Sequence, residues 1–319
     1  MRGTVTGWGI RQVPGTGRPD RVPRAARAIA GAAHEPYNRG VIPSPPAVPD
    51  HVRQALDVAI SAARLAGHLE LERLGRVEQI SHKSARDVVT EVDHLAERLI
   101  LDEIHRSFPD DAILAEESGA HAAAGGTAPT TGSGRAWIVD PLDGTVNYAN
   151  AIPVFSTSVA LAVDGRPVVG VVFDPVRDEL FTATAGGGAR LNRRQIRNPD
   201  KPDLGDCVIG LGYAPRDWRS DLGDLRRAVR ASRHLGSSAL EISYVAAGRL
   251  DACVHPTGIS NWDVAAAGLI AEEAGVTVTT ADGEPWFDLS RPATSIGIIA
   301  APARHHATLL ALFRAAGRG

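Results

Sequence analysis

The chain has 319 residues, enough for one large or two moderate domains with a sizeable buried core. Its 44% apolar and 22% charged residues are ordinary for a soluble globular protein, and a formal net charge of -3 excludes bulk attraction to nucleic acid. Two cysteines, Cys207 and Cys253, exclude a disulfide framework and a Cys/His zinc cluster, which fits a reducing cytoplasm, and no apolar run approaches the ~20 residues that span a bilayer.

Residues 1–47 carry seven arginines against only Asp20 and Glu35 and show no helical or strand periodicity. They are expected to be a disordered extension; the Arg-rich, acid-poor composition weakly resembles a transit peptide, and a start codon chosen too far upstream explains it equally well. From Val48 the apolar residues Val52, Leu56, Ala59, Ile60, Ala63 and Leu65 recur at helical spacing to about Leu74, before Gly75. Lys83 to Asp93 leads into a second helix with Leu95, Leu99, Ile100 and Ile104 on one face, where Thr90 reads as a cap and Asp93 as an acid at the positive end of the dipole. Ala112 to Ala115 is a short buried strand delivering Glu116-Glu117-Ser118, and Gly119 to Gly134 is a small-residue surface loop.

Trp137 to Tyr148 is the stretch richest in chemistry. An apolar run ends in Asp140-Pro141-Leu142-Asp143-Gly144-Thr145, so two carboxylates, the Leu142 carbonyl and the backbone N–H groups of Gly144 and Thr145 fall within six residues, as a divalent cation and a phosphate would require. The same residues are also a common helix cap and turn, and alone they do not decide between the two.

Phe155 to Val163 alternates and meets Asp164-Gly165, a favoured two-residue hairpin turn, before Val168 to Phe173 returns. Strands over Glu179 to Thr184 and Arg190 to Ile196 continue an antiparallel meander and close an α+β lobe, residues 48–198. The second lobe, residues 199–319, reads as α/β: a strand at Cys207 to Leu211, a helix over Asp221 to Ala231, a turn at Gly236 to Ala239 opening a helix to Ala247, and a strand from Leu250 to Val254. A loop with His255, Pro256 and Gly258 then leads to Ser260-Asn261-Trp262-Asp263 at the start of a helix ending at Gly275. Strands at Val276 to Thr280 and Ser295 to Ala300 and a helix from Ala303 to Ala315 complete it.

Asp93, Glu116, Asp140, Asp143 and Asp263 each stand at or just after the end of an element. Five carboxylates converging on one cleft would repel one another, and divalent cations would turn that repulsion into a binding site, with Mg²⁺ the natural choice for oxygen ligands shared with a phosphate. Asp263 also completes a capping box with Ser260, and Lys83 is of a type seldom buried unless paired.

Three motifs in register resemble the inositol monophosphatase family, a magnesium-dependent, lithium-sensitive phosphomonoesterase superfamily that includes fructose-bisphosphatases. Trp137 to Tyr148 matches W-I-x-D-P-x-D-G-T-x-N-[FY], Trp262 to Gly268 resembles W-D-x-A-A-x-G, and Lys83 to Asp93 resembles K-x-x-x-D-x-V-T-x-x-D. The resemblance covers residues 48 to about 315. It implies a layered αβαβα sandwich of the sugar-phosphatase type, two lobes with the active site in the cleft between them, a small phosphate monoester as substrate, no nucleic-acid or membrane partner, and a homodimer. It also implies that Glu116, Asp140 and the Leu142 carbonyl hold one Mg²⁺ and that Asp140, Asp143 and Asp263 hold a second. Asp93 and Thr145 would activate the attacking water, with Glu116 supporting a further metal. Gly144 and Thr145 would bind phosphate, Lys83 would add positive charge, and Asp143 and Asp263 would also border the substrate.

Two departures bear on substrate. Ala115-Glu116-Glu117 replaces the family's Gly-Glu-Glu. Between Asp251 and Trp262 the glutamate that binds sugar hydroxyls in inositol-selective members is missing, and the segment is one residue longer. His255 is expected either to contact a different leaving group or to face solvent, and Ser238 occupies a substrate-side position. Histidinol phosphate, fructose 1,6-bisphosphate and adenosine 3′,5′-bisphosphate therefore stay open as substrates. So does a catalytically silent module that keeps metal and phosphate binding, against which all six catalytic and metal-binding acids and hydroxyls stand intact.

Overall fold

Alanines set how closely the first helix lies on its sheet. In the computed structural model, which describes residues 49–82, 88–122, 134–213 and 222–316, α1 (Asp50–Arg73) buries Ala55, Ala59, Ala62, Ala63 and Ala66 on one stripe. A two-stranded pair, β1 (Ile80–His82) and β2 (Val88–Thr90), precedes α2 (Glu91–Ser107), which packs beside α1. Among the described residues no helix is long and apolar enough to cross a membrane. Residues 1–47, Lys83 and most of the loop after Gly119 lie outside the described residues.

The larger sheet has eight strands: β3 (Ala112–Ala115), β4 (Gly119–His121), β5 (Arg135–Asp143), β6 (Ser156–Val163), β7 (Arg166–Asp174), β8 (Glu179–Thr184), β9 (Gly188–Leu191) and β10 (Arg194–Gln195). Their spatial order is β10-β9-β8-β7-β6-β5-β3-β4, antiparallel except for β3 beside β5. Asp164 and Gly165 both take positive φ between β6 and β7, the expected hairpin turn. Because side chains alternate across a strand, Trp137 and Val139 of β5 join Ile100, Ile104 and Phe173 under α1 and α2, while Ile138 faces the other core with Val172 and Phe181. Both faces are covered, so these strands read as continuous apolar runs.

On that second face lie α5 (Ser238–Ala246) and α6 (Asn261–Glu273), which also cover the smaller sheet. A Cβ added at Gly170 of β7 would stand 2.7 Å from the Ala266 carbonyl oxygen, so glycine permits the approach of α6. The smaller sheet runs β12-β11-β13-β15-β14, with β11 (Val208–Leu211), β12 (Ala231–Arg233), β13 (Ala252–Ile259), β14 (Val276–Thr280) and β15 (Ile296–Pro302). Beyond it pack α4 (Gly223–Ala228) and α7 (Ala303–Ala316). The result is the five-layered αβαβα sandwich.

Several elements differ from expectation. The loop expected from Gly119 opens with a strand, β4, paired antiparallel with β3. The helix expected to reach Ala231 ends at Ala228, and Ala231 instead opens β12, whose parallel pairing with β11 outweighs local helix preference. The segment expected as a loop at His255 to Gly258 is strand, because β13 pairs with β15 through His255 and, after a bulge, at Ile259. The strand through Trp137 does not stop at Asp140; it runs to Asp143 with an irregularity between those two residues.

Candidate active site

That irregularity builds the centre. Asp140 pairs with Ser158 of β6 and Asp143 with Ser156, so three steps on β5 answer two on β6, and the extra residue re-aims the strand end as a bulge does. Gly144 follows at φ 101°, where a Cβ would lie 3.1 Å from the carbonyl oxygens of both Gly236 and Val154, and it starts the short α3 (Thr145–Ala149). Asp140, Asp143 and Thr145 thus reach one cleft of about 630 Å³, which Glu116, Leu142, Gly144 and Asp263 also line.

Carboxylate oxygens of Asp140, Asp143 and Asp263 lie within 4.8 Å of one another. Burial, then the charges of Glu116, Asp143 and Asp263, push the Asp140 carboxyl well above the ordinary carboxylate range, and burial with Asp143 and Glu116 does the same to Asp263. Burial also raises Asp143, against the hydrogen bonds it accepts. An all-carboxylate set under mutual repulsion has the donor chemistry of a hard divalent cation, so the residues fit Mg²⁺.

Each acid is held by its own set of donors. Asp93 Oδ2 accepts from the Thr90 backbone N–H at 2.8 Å and from the Thr90 hydroxyl at 2.6 Å, while Oδ1 accepts from Thr145 Oγ1 at 3.0 Å. The cap expected at Thr90 and the functional pair share Asp93, each using a different oxygen. Burial lifts the Asp93 carboxyl, opposed by the Thr90 and Thr145 hydrogen bonds. Asp263 likewise accepts from the Ser260 N–H at 2.6 Å in a capping box at the start of α6, and the Trp262 carbonyl accepts from Ser158 Oγ at 3.1 Å, tying α6 to β6. Asp140 Oδ1 accepts from the Leu142 N–H at 3.0 Å, and the Leu142 carbonyl lies 3.0 Å from Thr145 Oγ1.

Asp143 is met by the start of α5. Its oxygens accept from the Ser238 N–H at 3.0 Å, the Ala239 N–H at 2.8 Å, and the hydroxyls of Ser237 and, at 3.3 Å, Ser156. Ser238 therefore presents its backbone to Asp143. Glu116 and Glu117 are half-buried at the cleft wall rather than solvated, and the Glu117 N–H donates to Glu97 at 2.8 Å. Lys83 lies outside the described residues.

His255 is neither in the catalytic cleft nor facing solvent. It is 4% exposed on β13 and borders a second cavity of about 560 Å³ that shares Val146, Gly236 and Gly258 with the first. Its Nε2 lies 3.1 Å from Glu241 Oε2 of α5. Burial alone would lower its pKa, but Cys253 and the Glu241 charge outweigh burial and push it up to about 10. The pair fixes the imidazole as a buried cation matched by an anion from the next layer, which replaces the expectation of a free loop histidine.

Residues to which the sequence assigned no role complete the site. Asn147 donates to the Val154 and Leu235 carbonyls at 2.8 and 2.7 Å, and Glu241 accepts from the Leu235 N–H at 2.5 Å, so both steady the turn before Ser237. Glu70 of α1 is wholly buried behind Tyr148 and Thr157. The only sequence signal for Glu241 and Glu70 is an acid on an otherwise apolar helix face, which also fits a solvated position.

A family model described as the inositol monophosphatase family matches residues 51–318. Nus factor SuhB of Pasteurella multocida is 39% identical over 236 residues, 72% of this chain and 85% of that protein. Among solved structures, extragenic suppressor protein suhB from Bartonella henselae shares 34% identity with a TM-score of 0.74, covering 83% of this chain and 99% of that one. An IMPase from Thermotoga maritima has a TM-score of 0.73 at 34% identity, covering 83% and 98%.

Proposed function

The chain belongs to the inositol monophosphatase family, and from that premise we propose that it is a Mg²⁺-dependent phosphomonoesterase acting on a small phosphate monoester. The observation that carries the reading is the convergence of Asp140, Asp143, Asp263 and Thr145 in one cleft, with Asp93 hydrogen-bonded behind Thr145. Asp140, Asp143, Asp263, Glu116 and the Leu142 carbonyl would hold the metal ions. Bound there, Mg²⁺ lowers the pKa of water and neutralises phosphate oxygens.

The chain's own groups supply the rest. Thr145 Oγ1 passes its proton to Asp93 Oδ1 as it takes one from the attacking water, and the raised pKa of Asp93 suits a base. The water oxygen bonds to phosphorus as the bond to the leaving oxygen breaks, and the alcohol leaves with a proton from solvent. Backbone N–H groups at Gly144 and Thr145 orient the phosphate, and the second cavity receives the leaving group. Loss of the hydroxyl-binding glutamate and the locked His255–Glu241 pair favour a leaving group other than myo-inositol.

The test is phosphate release from myo-inositol 1-phosphate, histidinol phosphate, fructose 1,6-bisphosphate and adenosine 3′,5′-bisphosphate, with Mg²⁺ and with chelator. Release that ignored the chelator, or no release from any of the four, would sink the reading. The similarity to proteins named Nus factor SuhB favours a second one, in which the chain acts as a Nus factor. An Asp140→Asn chain that lost turnover but kept such a role would carry it.

A further inference from the structure

Glu70 is a carboxyl group the proposed chemistry does not use, in a place where a carboxylate is costly. It is 0% exposed on α1, Oε1 accepts from Thr157 Oγ1 of β6 at 2.9 Å, and Oε2 has no hydrogen-bond partner. Among the described residues no basic side chain forms an ion pair with it. A charged carboxylate so placed would lose its hydration with no counter-charge in return, so the group resides as the neutral acid.

Its position joins it to the reacting groups. The Glu70 main-chain carbonyl accepts from Tyr148 Oη at 2.8 Å, and Tyr148 stands one turn after Thr145 on α3. Thr157 follows Ser156, whose hydroxyl donates to Asp143. The titratable and charged groups around it are Asp93 from α2 and Tyr148 from α3, with Glu91 of α2 and Arg73 of α1 acting on Tyr148, while β6 contributes the Thr157 hydroxyl.

We propose that Glu70 is a positioning residue for the water-activating pair: its neutral carboxylic acid ties α1 to β6 through Thr157, and its main-chain carbonyl holds Tyr148 of α3 behind Thr145. Its ionisation would set an unpaired charge beside Asp93 and loosen that seat. Burial and Asp93 hold the proton on, and the Thr157 hydrogen bond opposes them. This role rests on the phosphomonoesterase reading.

The experiment is the pH dependence of kcat and KM at saturating Mg²⁺ for the wild type, Glu70→Gln and Thr157→Val. The wild type should lose turnover on the alkaline side, about tenfold per pH unit above the Glu70 ionisation. Glu70→Gln, which cannot ionise, should lack that limb, and Thr157→Val, which removes a bond favouring the anion, should move it to higher pH, both with KM unchanged. Coincident profiles for all three overturn the proposal. Infrared spectroscopy at neutral pH supplies a readout without turnover: the wild type should show a protonated-carboxyl band missing from Glu70→Gln, and its absence also overturns the proposal. A band together with no phosphate release by the wild type rejects the phosphatase reading, and the catalytic role with it, while leaving the neutral acid in place.

Discussion

At the scale of single residues, the acids of the cleft do two jobs with two oxygens. Asp93 and Asp263 each spend one oxygen on a helix cap and leave the other for Thr145 and for the acid cluster respectively, so capping and function do not compete. Asp140→Asn and Asp143→Asn should each abolish Mg²⁺-dependent phosphate release, because an amide supplies neither the charge nor the full set of lone pairs; retained turnover would reject the metal assignment. Thr145→Ala removes the proton path to Asp93 and should lower kcat by about 10²-fold with KM little changed, checked by steady-state kinetics. A larger rise in KM than loss in kcat would make Thr145 a binding group instead.

At the scale of elements, the site depends on segments held across layers. The start of α5 cradles Asp143, and the His255–Glu241 pair holds α5 to β13. His255→Ala would leave Glu241 buried without its counter-charge and should cost about 3 kcal/mol of stability, read by urea unfolding. The pH dependence follows from the raised pKa of His255. The pair's contribution is fully present below the unfolded value of about 6.5 and is lost as pH rises through about 10. The wild type should therefore lose its advantage over His255→Ala between neutral and alkaline pH; a constant difference would show that packing alone sets it. Gly144 is the other joint. Gly144→Ala meets two backbone carbonyls at positive φ and should destabilise by more than about 1 kcal/mol while displacing Thr145, so turnover and unfolding midpoint should fall together.

At the scale of the whole molecule, the fold brings acids from the end of β3, from β5 and from α6 into one cleft, and their repulsion opposes folding until a cation binds. Mg²⁺ at about 100 times its Kd should stabilise the protein by about 2.7 kcal/mol, seen as a higher unfolding temperature than in chelator. No shift, or an equal one in Asp140→Asn, would contradict a site at these carboxylates. By itself the sequence determined the long helices α1, α2, α6 and α7 and the β6–β7 hairpin, because apolar period and Asp-Gly turn chemistry are local, and it determined Asp140, Asp143 and Asp263 as candidates through motif spacing. Only the tertiary structure decided that β13 continues through His255, since that depends on pairing with β15 from forty residues away. It alone decided that His255 meets Glu241, that Asp143 sits on the N–H groups of α5, and that Glu70 lies buried behind Tyr148. Those contacts join layers, and an acid on a helix looks the same in the chain whether it faces water or the core; burial, the property that sets its charge, belongs to the packed molecule.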